Sequence, residues 1–344
     1  MSKNVYSIHT FELRRDLKPK EYKKMRDDLY NRATNEYRAF DFGRQCNFCK
    51  FEERGIRVVL KKHDKKPYLA LIINPQMVLD NGNYVDLIPS ADEFERAYKT
   101  ADRMVREFLG DKFALDKLTL CRADFSVNVN VGSRENVKTY IKLLNDKTGV
   151  RKGYRIVGRK CKKYDKEKGY IIDNKNLGIS FSVYDKEAQL KDIGKPEQAA
   201  NAKHILRIEY QLKRHGAVKE FAGEEGTNLD KLLRLIYTSH VFIYNMMRSV
   251  VMDCTYYTLD RAKSIVKSRI ENNKLQQRML DWLCYASDKH SVQLGQKALV
   301  KNNSKISPRY INKMVQAFED IDVNIVTLSR KYNIQEMKSI IKYL

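Results

Sequence analysis

The segment Arg122-Ala-Asp-Phe-Ser-Val-Asn-Val-Asn130 decides how the rest of the chain is read, because its residue types alternate strictly. Ala123, Phe125, Val127 and Val129 fall on one side of an extended strand; Arg122, Asp124, Ser126, Asn128 and Asn130 fall on the other. A strand with one apolar and one polar face suits an antiparallel sheet packed on one side only. Two later segments repeat the pattern. In Leu177-Gly-Ile-Ser-Phe-Ser-Val-Tyr-Asp-Lys186, the apolar set is Leu177, Ile179, Phe181 and Val183, and Gly178, Ser180, Ser182, Tyr184 and Lys186 oppose it. In Ile205-Leu-Arg-Ile-Glu-Tyr-Gln-Leu-Lys213, Leu206, Ile208, Tyr210 and Leu212 are set against Arg207, Glu209, Gln211 and Lys213.

Outward from these three segments, period-two runs predict further strands over 5–13, 55–62 and 67–74, while the three quoted segments extend to strands over 117–130, 177–185 and 204–214. Apolar residues at helical spacing predict helices over 19–33, 91–109 and 133–146, the last two preceded by Ser90 and Ser133 as capping hydroxyls. The order gives an α+β fold with a largely antiparallel central sheet and flanking helices. Near residue 225 the character changes, and Gly223-Glu-Glu-Gly-Thr227 interrupts both periodicities. The expected division is therefore an α+β catalytic domain over 1–225 and a smaller all-helical accessory domain over 226–344. In the second part, 325–341 reads as helix, Tyr-Asn turn and helix, either a loose helix-turn-helix or a plain helical hairpin burying Leu328, Ile334, Met337 and Ile341. The lysine-rich stretch 151–175 reads as a solvated hairpin or a DNA-facing loop.

Lys and Arg number 66 against 43 Asp and Glu, a formal charge of +23, which favours a polyanionic partner and puts nucleic acid first. No apolar stretch approaches the ~20 residues that span a bilayer, and the N-terminus lacks the apolar core of a signal peptide. No membrane partner and a cytoplasmic location are expected. Six scattered cysteines suit reduced thiols. Cys46-Asn-Phe-Cys49 has ligand spacing but no second half to complete a zinc site, so paired hairpin cysteines or chance spacing are the alternatives to structural zinc.

If the three one-sided strands lie in one sheet with their faces aligned, Asp124, Tyr184, Lys186, Arg207 and Glu209 converge on a site suited to a phosphodiester. The bland alternative is a sheet with one merely solvated face. Tyrosine has an ordinary pKa near ~10, so a nucleophilic Tyr184 needs help to lose its proton and to stabilise phosphoryl charge. Lys186 is placed to do part of both. Arg207 either grips an adjacent phosphate or pairs with Glu209 or Asp124. Lys61 and Lys62, within Lys61-Lys-His-Asp-Lys-Lys66, form a basic patch suited to phosphate contact or simple solvation.

Arg122-Ala-Asp124, Tyr184-Asp-Lys186 and Leu206-Arg-Ile-Glu209-Tyr-Gln-Leu-Lys213, in that order after Tyr68-Leu-Ala-Leu-Ile-Ile-Asn-Pro75, resemble a known pattern. It is that of the rolling-circle replication initiators of filamentous phages, the gene II type, and more distantly of plasmid initiators with the Rep-trans pattern. The resemblance covers roughly residues 50–225. It implies a metal-dependent nickase in which Tyr184 attacks one DNA strand at a single-stranded or cruciform origin, forms a 5′-phosphotyrosine link and later rejoins the displaced strand. It further implies Mg²⁺ or Mn²⁺ held by Asp124 and Glu209, since no histidine pair of the H-hydrophobic-H kind is present. Arg122, Arg207, Lys213, Lys61 and Lys62 would contact DNA. Host helicase and polymerase are the implied partners, and a homodimer stays open. A second Tyr164-Asp-Lys166 competes for the nucleophile role from a polar, unpatterned stretch. A non-catalytic DNA-binding protein of the same fold, an RNA-binding protein and a relaxase acting at transfer origins are the competing functions.

Overall fold

The computed structural model describes residues 4–31, 39–42, 45–51, 54–63, 66–80, 83–146, 153–157, 168–303 and 306–344, with backbone alone for Tyr30, 39–42, 45–51, Lys62, His63 and Asp146. The second YDK element, Tyr164 to Lys166, and the side chains of Cys46 and Cys49 therefore lie outside the described residues.

In chain order the elements are β1 (Tyr6–Asp16), α1 (Pro19–Asn31), β2 (Ala39–Phe42), β3 (Gln45–Phe51), β4 (Ile56–His63), β5 (Lys66–Ile73), α2 (Pro75–Leu79), α3 (Ala91–Leu109), β6 (Thr119–Asn130) and α4 (Arg134–Asp146). There follow β7 (Arg155–Ile156), β8 (Gly169–Asn174), β9 (Ile179–Asp185), α5 (Lys186–Asp192), α6 (Pro196–Ala199), β10 (Ile205–Leu212), α7 (His215–Ala222) and α8 (Asn228–Val250). The remainder is β11 (Tyr256–Tyr257), α9 (Leu259–Arg269), α10 (Asn273–Asp288), α11 (Val292–Asn302), α12 (Pro308–Asp320) and β12 (Glu336–Met337).

The first ten strands make one sheet in the order β2-β3-β4-β5-β1-β6-β10-β9-β8-β7, each antiparallel to its neighbours. The expected α+β class with an antiparallel sheet stands. The three alternating segments become β6, β10 and β9, side by side near the middle. Their apolar positions within the strands are buried, among them Phe125 and Val127 on β6, Leu206 and Ile208 on β10, and Phe181 and Val183 on β9, whereas Leu177, before β9 begins, is exposed.

Two long helices cover that apolar face. In α3 the buried residues Phe94, Ala97, Tyr98, Ala101, Met104, Val105 and Phe108 recur three and four apart, and the Ser90 side chain accepts from the Glu93 amide at the N-terminus. Phe94 and Tyr98 meet the Phe11 ring of β1. α8 begins with a capping box between Thr227 and Asp230, and its Phe242 ring meets Phe125 and Tyr210. Full burial of an aromatic such as Phe125 contributes about 1.5–3 kcal/mol, which makes this seam the main source of one-sidedness in the sheet.

Packing divides the chain differently from the glycine-rich break at 223–227. Helix α8 shares the sheet's core, through Leu232, Leu235, Ile243, Met246 and Met247. So does the C-terminal tail, through Val326, Leu328, Met337, Ile340 and Ile341. A second core forms among α9, α10, α11 and α12 around Val266, Met279, Trp282, Leu283, Leu299, Met314 and Phe318. The helical unit is thus smaller than 226–344, because α8 finds its apolar partner on the sheet.

Residues 325–341 form neither a helix-turn-helix nor a helical hairpin. The run from Val323 to Leu328 is buried, bridges to Thr255 and Thr258 at its two ends, and is followed by a 3₁₀ turn at Arg330–Tyr332 and the short β12. Apolar side chains buried on both sides of an extended run mimic helical spacing in sequence. Among the described residues, no helix is long and apolar enough to cross a membrane.

Candidate active site

Strand register assembles the site on the polar face. Arg207 of β10 lies opposite Tyr184 of β9 and Asn128 of β6. Two residues along, Glu209 lies opposite Ser182 and Ser126, and Gln211 then lies opposite Ser180 and Asp124. Tyr184 and Glu209 are therefore diagonal neighbours, a separation that an aromatic side chain can bridge. The Tyr184 hydroxyl donates to Glu209 Oε1 at 2.5 Å, while Gln211 Nε2 donates to the other carboxylate oxygen at 3.1 Å. The other side of Tyr184 is kept clear by Gly169 of β8, which is its partner in register. A Cβ at Gly169 would stand 3.1 Å from the Tyr184 Cβ, so a larger residue there requires Tyr184 or its strand to give by a few tenths of an ångström.

Tyr184 is half-buried. Burial and then the Glu209 charge push its phenol well above the usual value, and the Arg207 charge opposes them. The phenol accordingly rests protonated, with a carboxylate already in contact with its proton. That is the arrangement a tyrosine nucleophile requires: a base to take the proton and a cation to reduce the cost of the phenolate.

Arg207 does not project toward solvent as expected for a phosphate grip. It is 0% exposed, with Nε donating to Asn128 Oδ1 at 2.8 Å and Nη2 donating to the Val85 carbonyl. The segment carrying Val85 lies over the polar face and seals the guanidinium in. Nη1 has no protein partner, and neither do the buried hydroxyls of Ser7 and Ser126, which are paired in register beside Glu209.

Lys186 is also displaced from its expected position. The strand ends at Asp185, whose side chain caps α5 by accepting from the Ala188 amide at 3.0 Å. Lys186 becomes the first residue of that helix, 1% exposed, with Nζ donating to Gln189 Oε1 at 2.8 Å. Burial, then the Arg207 charge, lowers its pKa to about 7, with Glu209 opposing. It lines a cavity of about 210 Å³ together with His9, Thr10, Arg57, Asn74 and Tyr84. A strand-to-helix switch at Asp185 is what alternation alone could not show.

Asp124 is 2% exposed and is held by both arms of Arg122, Nε to Oδ1 at 2.9 Å and Nη2 to Oδ2 at 2.5 Å. Burial pushes its carboxyl up to about 6 against the pull of Arg122. Arg122 is committed to this pair, Lys213 is exposed just past the end of β10, and Lys61 is half-buried on β4. The Lys62 side chain lies outside the described residues.

Sequence reasoning passed over His9. A bulge between Ile8 and Thr10 in β1 brings its Nδ1 within 3.9 Å of Glu209 Oε1 and 3.0 Å of Thr10 Oγ1. Burial and the charges of Arg207, Lys186 and Arg122 hold its pKa well below the usual histidine value, so the ring is neutral at pH 7. The available signal was the consecutive polar pair His9-Thr10 in an otherwise alternating strand.

The expected cation site is not preformed. Both Asp124 oxygens are engaged by Arg122, and Glu209 is engaged by Tyr184 and Gln211. Among the described residues, no group of three or more His, Cys, Asp or Glu side chains is placed to hold a metal ion. Mg²⁺ favours octahedral oxygen coordination, which this donor set reaches only by displacing protein partners. A scan against protein-family models gives no match to the chain, and a search of curated proteins finds no relative.

Proposed function

We propose that this protein nicks one strand of DNA through Tyr184 and later rejoins it, in the manner of a rolling-circle replication initiator. The observation that carries the reading is the hydrogen bond from the Tyr184 hydroxyl to Glu209, on the polar face of the sheet beside a buried arginine, in a chain of charge +23. The similarity to gene II type initiators adds the substrate class.

The chemistry follows from the residues. As Tyr184 Oη attacks the phosphorus, its proton passes to Glu209, a Tyr–O–P bond forms and the P–O3′ bond breaks, the leaving 3′ oxygen taking a proton from water. Arg207, opposite Tyr184 in register, lowers the cost of negative charge on the phenol oxygen. Gln211 holds the second oxygen of Glu209 and so fixes the carboxylate's orientation. The product is a 5′-phosphotyrosine with a free 3′ hydroxyl, and the reverse attack reseals the strand. Mg²⁺ or Mn²⁺ was expected from sequence, but no step here is assigned to a metal, because Asp124 and Glu209 already have protein partners.

A second reading is a non-catalytic DNA-binding protein of the same fold. The closed Arg122–Asp124 pair favours it. The two separate when the full chain is incubated, with Mg²⁺, Mn²⁺ or EDTA, with circular single-stranded DNA carrying the sequence that flanks the gene. The nicking reading expects a denaturant-stable protein–DNA product whose free 3′ end a polymerase extends. DNA that stays circular and protein-free under all three conditions supports the binding reading.

A further inference from the structure

Helix α11 packs closely on α10 but buries few of its own side chains. Only Gly295 and Leu299 are buried among its eleven residues. Gly295 allows a close crossing with α10: a Cβ there would lie 2.6 Å from the Ala286 amide nitrogen and 2.7 Å from its Cα. The two helices are joined by residues 289–291 alone, with His290 in the left-handed region at φ 48°. The Ser291 side chain then caps α11 by accepting from the Leu294 amide at 3.3 Å. A long helix, a three-residue turn with one left-handed residue and a second helix that approaches the first closely share the connectivity of a helix-turn-helix.

The outer side of α11 carries Gln293, Leu294, Lys297, Val300 and Lys301, all exposed and spaced so that they share one face. Leu294 and Val300 are 51% and 39% exposed, large apolar side chains that the core leaves out. The helix contains no acidic residue. Asp288, which ends α10, is paired with Lys289 at 2.9 Å. A cationic face bearing an amide donor and acceptor, with aliphatic side chains interleaved, complements a major groove: lysines meet phosphates or guanine, glutamine can pair with adenine, and aliphatic groups meet thymine methyls.

We infer that α10, the 289–291 turn and α11 form a helix-turn-helix that docks α11 into the major groove of duplex DNA. This site is separate from Tyr184 and stands whether or not that residue is a nucleophile. It gives the protein a grip on paired DNA in addition to any single strand handled on the sheet.

The test is fluorescence anisotropy of the full chain on a labelled 24-base-pair duplex of mixed sequence and on one of its strands, over a range of salt. The variants are Lys297→Ala/Lys301→Ala and Gln293→Ala, with thermal melts to confirm that each is folded. The double variant is expected to weaken duplex binding about ten-fold or more, to reduce the slope of log affinity against log salt by about 2, and to leave single-strand affinity within about two-fold. In selection from a randomised duplex pool, Gln293→Ala should relax preference at one or two adjacent positions of the motif that wild type enriches. A wild-type chain that fails to bind duplex, or a folded double variant with unchanged duplex affinity and salt slope, overturns the inference.

Discussion

The hydroxyl of Tyr184 donates to Oε1 of Glu209 at 2.5 Å across two neighbouring strands, so the proposed nucleophile and its proton acceptor are in contact before any DNA arrives. Removing the acceptor while keeping the shape is the sharpest probe of that contact. Glu209→Gln is expected to slow single-turnover adduct formation at pH 7 by about 10²–10³-fold, within the usual range for general-base catalysis, and to recover partly as pH rises and hydroxide takes the phenol proton. An unchanged rate at pH 7 would remove Glu209 from the mechanism.

Gly169 tests positioning. A side chain at that residue meets Tyr184 at its Cβ and the Val183 carbonyl, both part of β9, which cannot shift without disturbing the sheet. Gly169→Val should therefore lower the adduct rate by at least about ten-fold, since small misplacements of a nucleophile are costly, while DNA affinity measured by anisotropy stays near wild type. Equal loss of binding and rate would mean that β8 has unfolded locally.

Lys186 gives a pH signature in stability. The unfolded chain holds this proton up to about the ordinary lysine value of 10.5, whereas burial and Arg207 let the folded chain release it near 7, with Glu209 opposing. Between those values the unfolded state binds more protons, so this group makes the fold more stable as pH rises, and below about 7 its full destabilising effect remains. Lys186→Met should accordingly stabilise the protein most at pH 6.5–7, with the advantage over wild type shrinking by at most about 1.4 kcal/mol per pH unit toward pH 9.5. Urea unfolding of both proteins across that range measures it. An advantage that does not change with pH would contradict the buried, easily deprotonated amine.

Much of this was legible from alternation. The faces of β6, β9 and β10 were readable residue by residue, because a period of two leaves no choice about which side chains share a side, and Asp124, Tyr184 and Glu209 do stand on one face. What alternation does not encode is where a strand stops or what lies over it. Lys186 shares the parity of Tyr184, yet Asp185 caps a helix and carries Lys186 into a cavity. Arg207 shares the parity of Glu209, yet the chain at Val85 covers it, a contact 122 residues away in sequence. α8 looked like the start of a separate helical domain because amphipathicity tells that a helix has an apolar face and not which surface receives it.

The measurement that bears most directly on the central claim is identification of the residue joined to DNA. The denaturant-stable product formed on circular single-stranded DNA would be digested with nuclease and protease, and the modified peptide sequenced by mass spectrometry, for wild type and Tyr184→Phe. The expected result is a nucleotide-phosphate mass on Tyr184 in wild type and no adduct from the folded variant. A modification on Tyr164 or any other tyrosine, or an adduct that persists in Tyr184→Phe, would contradict it.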